Sequence, residues 1–542
     1  MNRTFIYFYI VGIVLTILSS IGIFYLFTKK KIALPSIPLT ASIFVSLYLL
    51  IAHLLKYYSL HLYVDFAAWA EILNNIVSTG KPISSIQHFI SGQGTNWFGA
   101  HFTPLLYIIA IPFAIYPHNE TLILLNFLLM LSSVIPLYKL ARINHPDERF
   151  GLFMVVLLLW YPTFQYIVLY EFEMLRFSIP IILWMLYFWE KRKIVPYFLC
   201  VLLAVLVREE VGLTIMMFGL YLLVKRQLRV GLATALIGLG SFAVITEIVM
   251  PALRTANTTE HVAMTAFRDF GDTFGKVAWN AASHPALTLT KILTPIKLAN
   301  LFMLFLPLLF VSLLAPTILI SVLANFGVGL LSCFDTHTSY MLYYLSPSVP
   351  FIFYAFIKGW PKLIAALERL TCKWGHRPNA DVNSAAMASV LLGLLTANIF
   401  FGPSPISLQF WSKNLRPAPF RTQNFHYSIY KVTDHHRKVE QFVELIPPGA
   451  VVSAEQFLHP RLARKKAAMV FPQLESLDGK IKADYVFIDK KNPIKSGTSA
   501  VPGSWDGLRE NPQSYYDKVE KDLAKWKLIK TDDGYFLYQR VN

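Results

Sequence analysis

The sequence predicts an all-α polytopic membrane domain over residues 1–401, followed by a small α/β domain over residues 402–542. Three observations predict it. The 542 residues are 55% hydrophobic and only 15% charged, with a mean hydropathy of +0.49, far from soluble-domain composition. Apolar runs recur along the first 400 residues with basic loops between alternate pairs. After Phe401 the long apolar runs stop.

The runs fall at about 5–27, 33–55, 120–141, 150–169, 176–189, 194–207, 211–224, 229–250, 298–314, 316–332, 341–357 and 384–401. A helix needs roughly 20 residues to cross the hydrocarbon, so the shortest of these runs have uncertain ends. The first ends in Lys29-Lys30-Lys31 without a small-residue cleavage site and reads as a retained span, not a signal peptide. A further run, 104–116, is bounded by Pro104 and Pro117 and reads as a half-embedded segment. The loops 28–32, 138–150, 190–193, 225–229 and 358–383 hold about 17 Lys and Arg against about 5 Asp and Glu. The positive-inside rule assigns all of them to the cytoplasm, which leaves both termini extracytoplasmic.

The net charge of +17 therefore sits mostly in short loops between apolar runs and argues against a nucleic-acid partner. Cys200, Cys333 and Cys372 are scattered, with no metal spacing and no evident disulfide.

The opposite set of loops gathers acidic and imidazole groups. The external loop 56–119 contains Asp65 and His101; later loops carry Glu171, Glu173, Arg208, Glu209, Glu210 and His337. Ionisable groups at membrane depth are costly and face a cavity or a partner. The stretch VLYEFEMLRF (168–177) is expected to form one wall of an outward-facing pocket.

After Asp65, apolar residues at Phe66, Trp69, Leu73, Ile76 and Val77 have helical spacing and suggest a helix lying along the outer membrane surface. Asp65 would cap it, a role compatible with one in a site. His101 precedes Thr103-Pro104, a helix start, where a structural role is the plainer one. VREEVGL (207–213) would be either a self-paired turn or part of the pocket. FDTHTSYMLYYLSP (334–347) adds His337 and tyrosines of the kind that anchor membrane interfaces.

Beyond a Pro-rich exit, VVSAE, AAMVF, DYVFID and WKLIKTDDGYFLYQR read as strands, the last two joined by an Asp-Gly turn. Residues 512–526 read as a helix. No glycine-rich phosphate loop or acidic cluster is present in this part of the sequence.

The combination of YVDFAAWAEILNNIVSTGKP, HFTPLLYIIAIPFAIYP, PLYKLAR, the YEFE motif, VREEVGL, VVSAEQFLHPRLARKKAAMVFP and ADYVFIDK resembles a prokaryotic multi-pass membrane family. That family is grouped as a domain of unknown function and is related to C-type glycosyltransferases. The match runs from about residue 60 to the end. It implies a C-type glycosyltransferase-like fold and an enzyme that transfers a hexose or pentose from a polyprenyl-phosphate donor on the outer face of the membrane. The acceptor would be a glycan, lipid or protein. The resemblance also implies that Asp65 is the catalytic base. One position departs: where the family reads Tyr-Glu-Phe-His this chain has Glu173, so a metal or proton role drawn from that histidine is not carried over.

Arg208 is the best-placed cation for a departing phosphate, with Arg176 and Arg254 in reserve. His101, Glu171, Glu173, Glu209, Glu210 and His337 complete the expected substrate-binding set. Glu171 and Glu173 could bind acceptor hydroxyls, orient Arg208 or hold a divalent metal ion, although two carboxylates underfill such a site. The alternative class is a transporter or lipid flippase, in which the same charges form a pathway.

Overall fold

The computed structural model describes residues 3–30, 37–86, 95–254, 262–373, 381–412, 415, 425–476, 480–491, 521–523 and 526–541. Two long apolar helices open the chain, α1 (Arg3–Lys30) and α2 (Leu39–Tyr58), followed by α3 (Val64–Thr79). The bundle continues with the pair α4 (Glu148–Trp160) and α5 (Pro162–Leu169), then α6 (Ser178–Glu190), α7 (Val211–Val224) and α8 (Leu228–Val244). It closes with α9 (Pro295–Phe305), α10 (Leu323–Leu331), α11 (Val349–Lys373) and α12 (Val382–Phe401).

Among the described residues six helices are long and apolar enough to cross a membrane, or eight if two bent pairs each count as one span. The twelve expected crossings are thus not all matched by long helices. α6 and α7 have 13 and 14 residues, about 20 Å at ~1.5 Å per residue, short of a ~30 Å hydrocarbon core. The run at 298–314 breaks up because Pro307 cannot continue the hydrogen-bond ladder. After α9 the chain makes 3-10 turns at Leu306–Leu308 and Val311–Leu314, with Leu309 and Phe310 left-handed at φ 47° and 60°. The segment expected to be half embedded is a 10-residue helix, Leu106–Ile115.

Close backbone contacts set the bundle's register. On the α7–α8 hairpin a Cβ added at Gly219 would lie 2.4 Å from the Ala235 nitrogen, and one at Gly238 would lie 2.4 Å from the Met216 nitrogen. Gly12 on α1 meets the Phe400 and Phe401 rings of α12 in the same way.

α3 is covered by protein on more than the one apolar face that its spacing suggests. Ten of its residues are buried, from Val64 to Ile76. One face packs into the main helical core through Phe66, Trp69 and Leu73. The small residues on its other face, Ala67 and Ala68, allow Ile86, Ala468 and Val470 to close over it. Glu71 accepts hydrogen bonds from the Ser84 hydroxyl (2.9 Å) and the Ser85 N–H (3.0 Å), folding the next loop back on the helix.

The C-terminal part forms a five-stranded sheet in the order β2-β1-β3-β5-β4. The strands are β1 (Val451–Ala454), β2 (Ala467–Val470), β3 (Tyr485–Asp489), β4 (Lys527–Asp532) and β5 (Tyr535–Gln539), each at an expected position. β1 pairs in parallel with β2 and β3; β5 is antiparallel to β3 and β4. The β4–β5 turn places Asp533 and Gly534 at positive φ, 50° and 92°, as an Asp-Gly hairpin requires. Helix α13 (Asp434–Val443) covers one face through Val439, Phe442 and Val443. The helix expected over 512–526 lies mostly outside the described residues.

Phe410, Phe425, Ile429 and Tyr430 belong to the same core as the bundle helices, and the sheet unit begins near α13. That unit docks over the end of α2 and over α3. The Arg461 guanidinium lies 3.9 Å from the Tyr57 ring centre and donates to the Tyr57 carbonyl at 3.3 Å. The Asn119 amide donates to the Pro460 carbonyl at 2.6 Å, and the Ala468 N–H donates to the Ser85 hydroxyl at 3.1 Å.

Candidate active site

α5 ends at Leu169 and the chain leaves it in an open conformation, with Tyr170 at φ −61°, ψ 165° and Glu173 at φ −158°, ψ 131°. Each of the four residues between makes one contact that matters. The Tyr170 hydroxyl donates to Asp65 Oδ2 at 3.0 Å. Glu171 Oε2 accepts the Phe66 N–H at 2.8 Å. The Phe172 ring packs edge-on against Trp69, centroids 5.8 Å apart. Glu173 Oε1 accepts from Arg208 Nη1 at 3.2 Å.

These contacts correct the capping role expected of Asp65. The N-cap of α3 is Tyr63, whose side chain makes no capping bond, and Asp65 stands inside the first turn. Glu171 takes a free N–H of that turn instead, from 105 residues away. A carboxylate fits there because the unpaired N–H groups give a helix start a partial positive charge. Asp65 is consequently released to face Tyr170. It is recessed among protein atoms yet open to solvent, and burial holds its carboxyl above the ordinary range, with the Tyr170 bond pulling the other way. Burial, reinforced by the charge of Asp65, pushes Glu171 up to about 8.

The second half of the site is built around Arg208, at the turn before α7. Its Nε lies 3.1 Å from Glu210 and 3.8 Å from Glu209, in addition to the Glu173 contact, and its side chain is 8% exposed. Glu209 accepts from the Phe102 N–H at 3.0 Å and lies 2.9 Å from His101 Nδ1. Burial, with the Arg208 charge beside it, pushes His101 down to about 3, so the imidazole is neutral. The network then assigns the tautomer: Nδ1–H donates to Glu209, and Nε2 faces Arg208 Nη2 at 3.4 Å. Burial raises Glu173 and Glu210 above the ordinary carboxylate range, while Arg208 opposes both shifts.

A cavity of about 540 Å³ opens at this cluster. His101, Arg208, Glu209, Glu210, His337, Tyr343 and Tyr344 line its polar end, and side chains such as Phe242, Phe267, Phe274 and Val328 make the remainder apolar. The His337 and Tyr344 rings lie 4.3 Å apart, centre to centre. Tyr343 meets Tyr170 at 4.9 Å and so connects the cavity to the Asp65 side.

The structure therefore brings His101, Arg208, Glu209, Glu210 and His337 to one cavity and ties Glu173 to them. Asp65 and Glu171 stand behind the Tyr170–Tyr343 pair, with the Asp65 charge within electrostatic reach of Glu173, Tyr343 and Tyr344. Arg176 does not serve the cavity: it is fully buried, bonded to Asn126 Oδ1 at 2.8 Å and to the Glu171 carbonyl. Arg254 donates to the Gly99 carbonyl at 3.0 Å.

Sequence reasoning did not single out Tyr170, or Lys56, whose ammonium donates to the Leu169 carbonyl at 2.9 Å. The signal for Lys56 was present, one lysine closing the apolar run IAHLLKYY. As for a divalent metal, the Glu171 and Glu173 carboxylates are engaged by Phe66 and Arg208. Among the described residues no three His, Cys, Asp or Glu side chains are grouped to ligate one.

No curated protein matches the chain. ArnT from Cupriavidus metallidurans, solved bound to undecaprenyl phosphate, is similar at 12% identity and a TM-score of 0.48, over 92% of this chain and 98% of that one. The archaeal oligosaccharyltransferase AglB from Archaeoglobus fulgidus, solved with an inhibitory peptide and a dolichol-phosphate, is similar at 13% identity and a TM-score of 0.41. That alignment covers 92% of this chain and 74% of that one. The model of the predicted membrane protein family DUF2079 matches residues 56–537, nearly the whole length, and the chain belongs to that family.

Proposed function

We propose that this protein is a membrane glycosyltransferase that moves a sugar from a polyprenyl-phosphate donor to an acceptor hydroxyl on the outer face of the membrane. One observation carries the reading. A solvent-open carboxylate, Asp65, and a guanidinium, Arg208, are held by residues of one tetrapeptide, Arg208 at the polar end of a cavity with apolar walls and Asp65 behind the Tyr170–Tyr343 pair that adjoins it. The motif resemblance to C-type enzymes supports the same assignment.

In this mechanism Asp65 takes the proton of the acceptor hydroxyl as its oxygen attacks the anomeric carbon. A raised carboxyl suits that task because a base works best with a pKa near the working pH. The bond between the anomeric carbon and the phosphate oxygen breaks, and its electron pair leaves with the polyprenyl phosphate. Arg208 stabilises the charge growing on that phosphate. The apolar wall seats part of the lipid tail and lowers the entropic cost of bringing donor and acceptor together. The basic loops face the cytoplasm in this arrangement, and both termini and the sheet unit lie outside.

The test uses the purified full chain in lipid nanodiscs with a radiolabelled polyprenyl-phosphate sugar. Asp65→Asn is expected to lower transfer by about 10²–10⁴-fold. Full activity in that variant removes Asp65 as the base. Uptake of a labelled solute into vesicles with no lipid-linked sugar present would favour the transporter or flippase instead.

A further inference from the structure

We infer that Tyr170–Glu173 is the positioning element of the site: Tyr170 and Glu171 orient the Asp65 carboxylate, and Glu173 orients Arg208. This rests on the reading of Asp65 as base and Arg208 as phosphate-holding cation, and it adds residues that touch neither reacting atom.

Three of the four side chains address α3. Tyr170 and Phe172 meet Asp65 and Trp69, one helical turn apart on that helix, and Glu171 holds the Phe66 N–H between them. The fourth, Glu173, turns to Arg208 and also accepts its own Leu175 N–H at 3.4 Å. Buried cations pin the backbone just before the segment and at its second residue. Lys56 takes the Leu169 carbonyl, and Arg176 takes the Glu171 carbonyl while bonded to Asn126. A segment pinned through its first half, with a base against Tyr170 and a cation against Glu173, sets the separation between them. Productive geometry of this kind tolerates little displacement.

Groups facing Asp65 are Tyr170 and Glu171 on this segment, and Glu173, Tyr343 and Tyr344 within electrostatic range. The experiment follows Asp65 directly in the full chain in nanodiscs. Its modification by N,N′-dicyclohexylcarbodiimide, which attacks the protonated carboxyl, is read by mass spectrometry across pH. The Tyr170 hydrogen bond favours the charged form, so Tyr170→Phe is expected to raise the proton affinity of Asp65 about tenfold and move the labelling midpoint up by about one pH unit. Glu171→Ala is expected to speed deuterium exchange in the first turn of α3 at least tenfold. Glu171→Gln restores protection, since an amide oxygen still accepts the Phe66 N–H. In transfer assays both Tyr170→Phe and Glu171→Ala are expected to lower kcat with KM unchanged.

An unmoved labelling midpoint in Tyr170→Phe, or exchange in Glu171→Ala equal to wild type, overturns the inference. Should the wild type transfer no polyprenyl-phosphate sugar at all, the transferase reading falls while labelling and exchange still report on the positioning geometry.

Discussion

Replacing Arg208 by glutamine should destabilise the protein in a manner that depends on pH, and the structure sets the size. Arg208 stands 3.2 Å from Glu173 and 3.1 Å from Glu210, with Glu209 at 3.8 Å. At an effective dielectric constant of ~20, each of the two nearer contacts is a gross attraction of about 5 kcal/mol, most of it offset by the cost of desolvation. Removing the cation leaves three carboxylates crowded together, and the loss expected for a broken buried pair is about 3–5 kcal/mol at pH 8. Glu173 and Glu210 are already raised by burial and held down by Arg208, so in the variant they rise further. An acid whose folded pKa exceeds its unfolded value contributes stability that is fully present below the unfolded value and lost as pH rises through the folded one. The variant should therefore approach wild-type stability near pH 5 and fall away towards pH 8. Thermal unfolding in one detergent at pH 5, 6.5 and 8, beside Arg208→Lys, measures this. A deficit of equal size at all three pH values would refute the electrostatic account of the cluster.

Other outcomes follow from the same geometry. With Asp65 as the proposed base, transfer activity should rise with pH through a value above the ordinary aspartate range, since burial opposes loss of its proton; a pH–rate profile locates the limb. His101→Asn should reduce the rate without removing a limb from that profile, because the imidazole is neutral throughout the working range. Arg461→Ala removes the stacking on Tyr57 and a carbonyl hydrogen bond, about 2 kcal/mol together, and should increase deuterium exchange where the sheet unit covers α3. Lys297→Met strips donors from the Lys291, Leu330 and Ser332 carbonyls, each at 2.8 Å. It should lower the unfolding temperature with a loss of at least ~1–3 kcal/mol.

The elements most legible in the sequence were those fixed by local chemistry. The five strands follow from apolar and β-branched runs with an Asp-Gly turn, and the helices from long apolar stretches. The charged lining of the cavity was legible too, because charges beside apolar segments are rare enough to stand out: Arg208, Glu209, Glu210, His101 and His337 line it. Their partners were not. Whether Asp65 or Glu171 caps α3 is settled by a contact spanning 105 residues, to which local capping preference is blind. The alanine face of α3 gave no sign of the sheet unit that covers it. Runs such as 298–314 are not continuous helices, because hydropathy registers a run but not the 3-10 turns and left-handed residues that interrupt it.

The glycine contacts between α7 and α8 bear on how this protein can move. With Gly219 against Ala235 and Gly238 against Met216, the two backbones touch without intervening side chains. Sliding by one turn, ~5.4 Å, would drive larger residues into those gaps. The pair is therefore a stiff post with Arg208, Glu209 and Glu210 mounted at its tip. Any rearrangement must swing that post whole or leave it in place, so access to the cavity falls to the shorter segments around it.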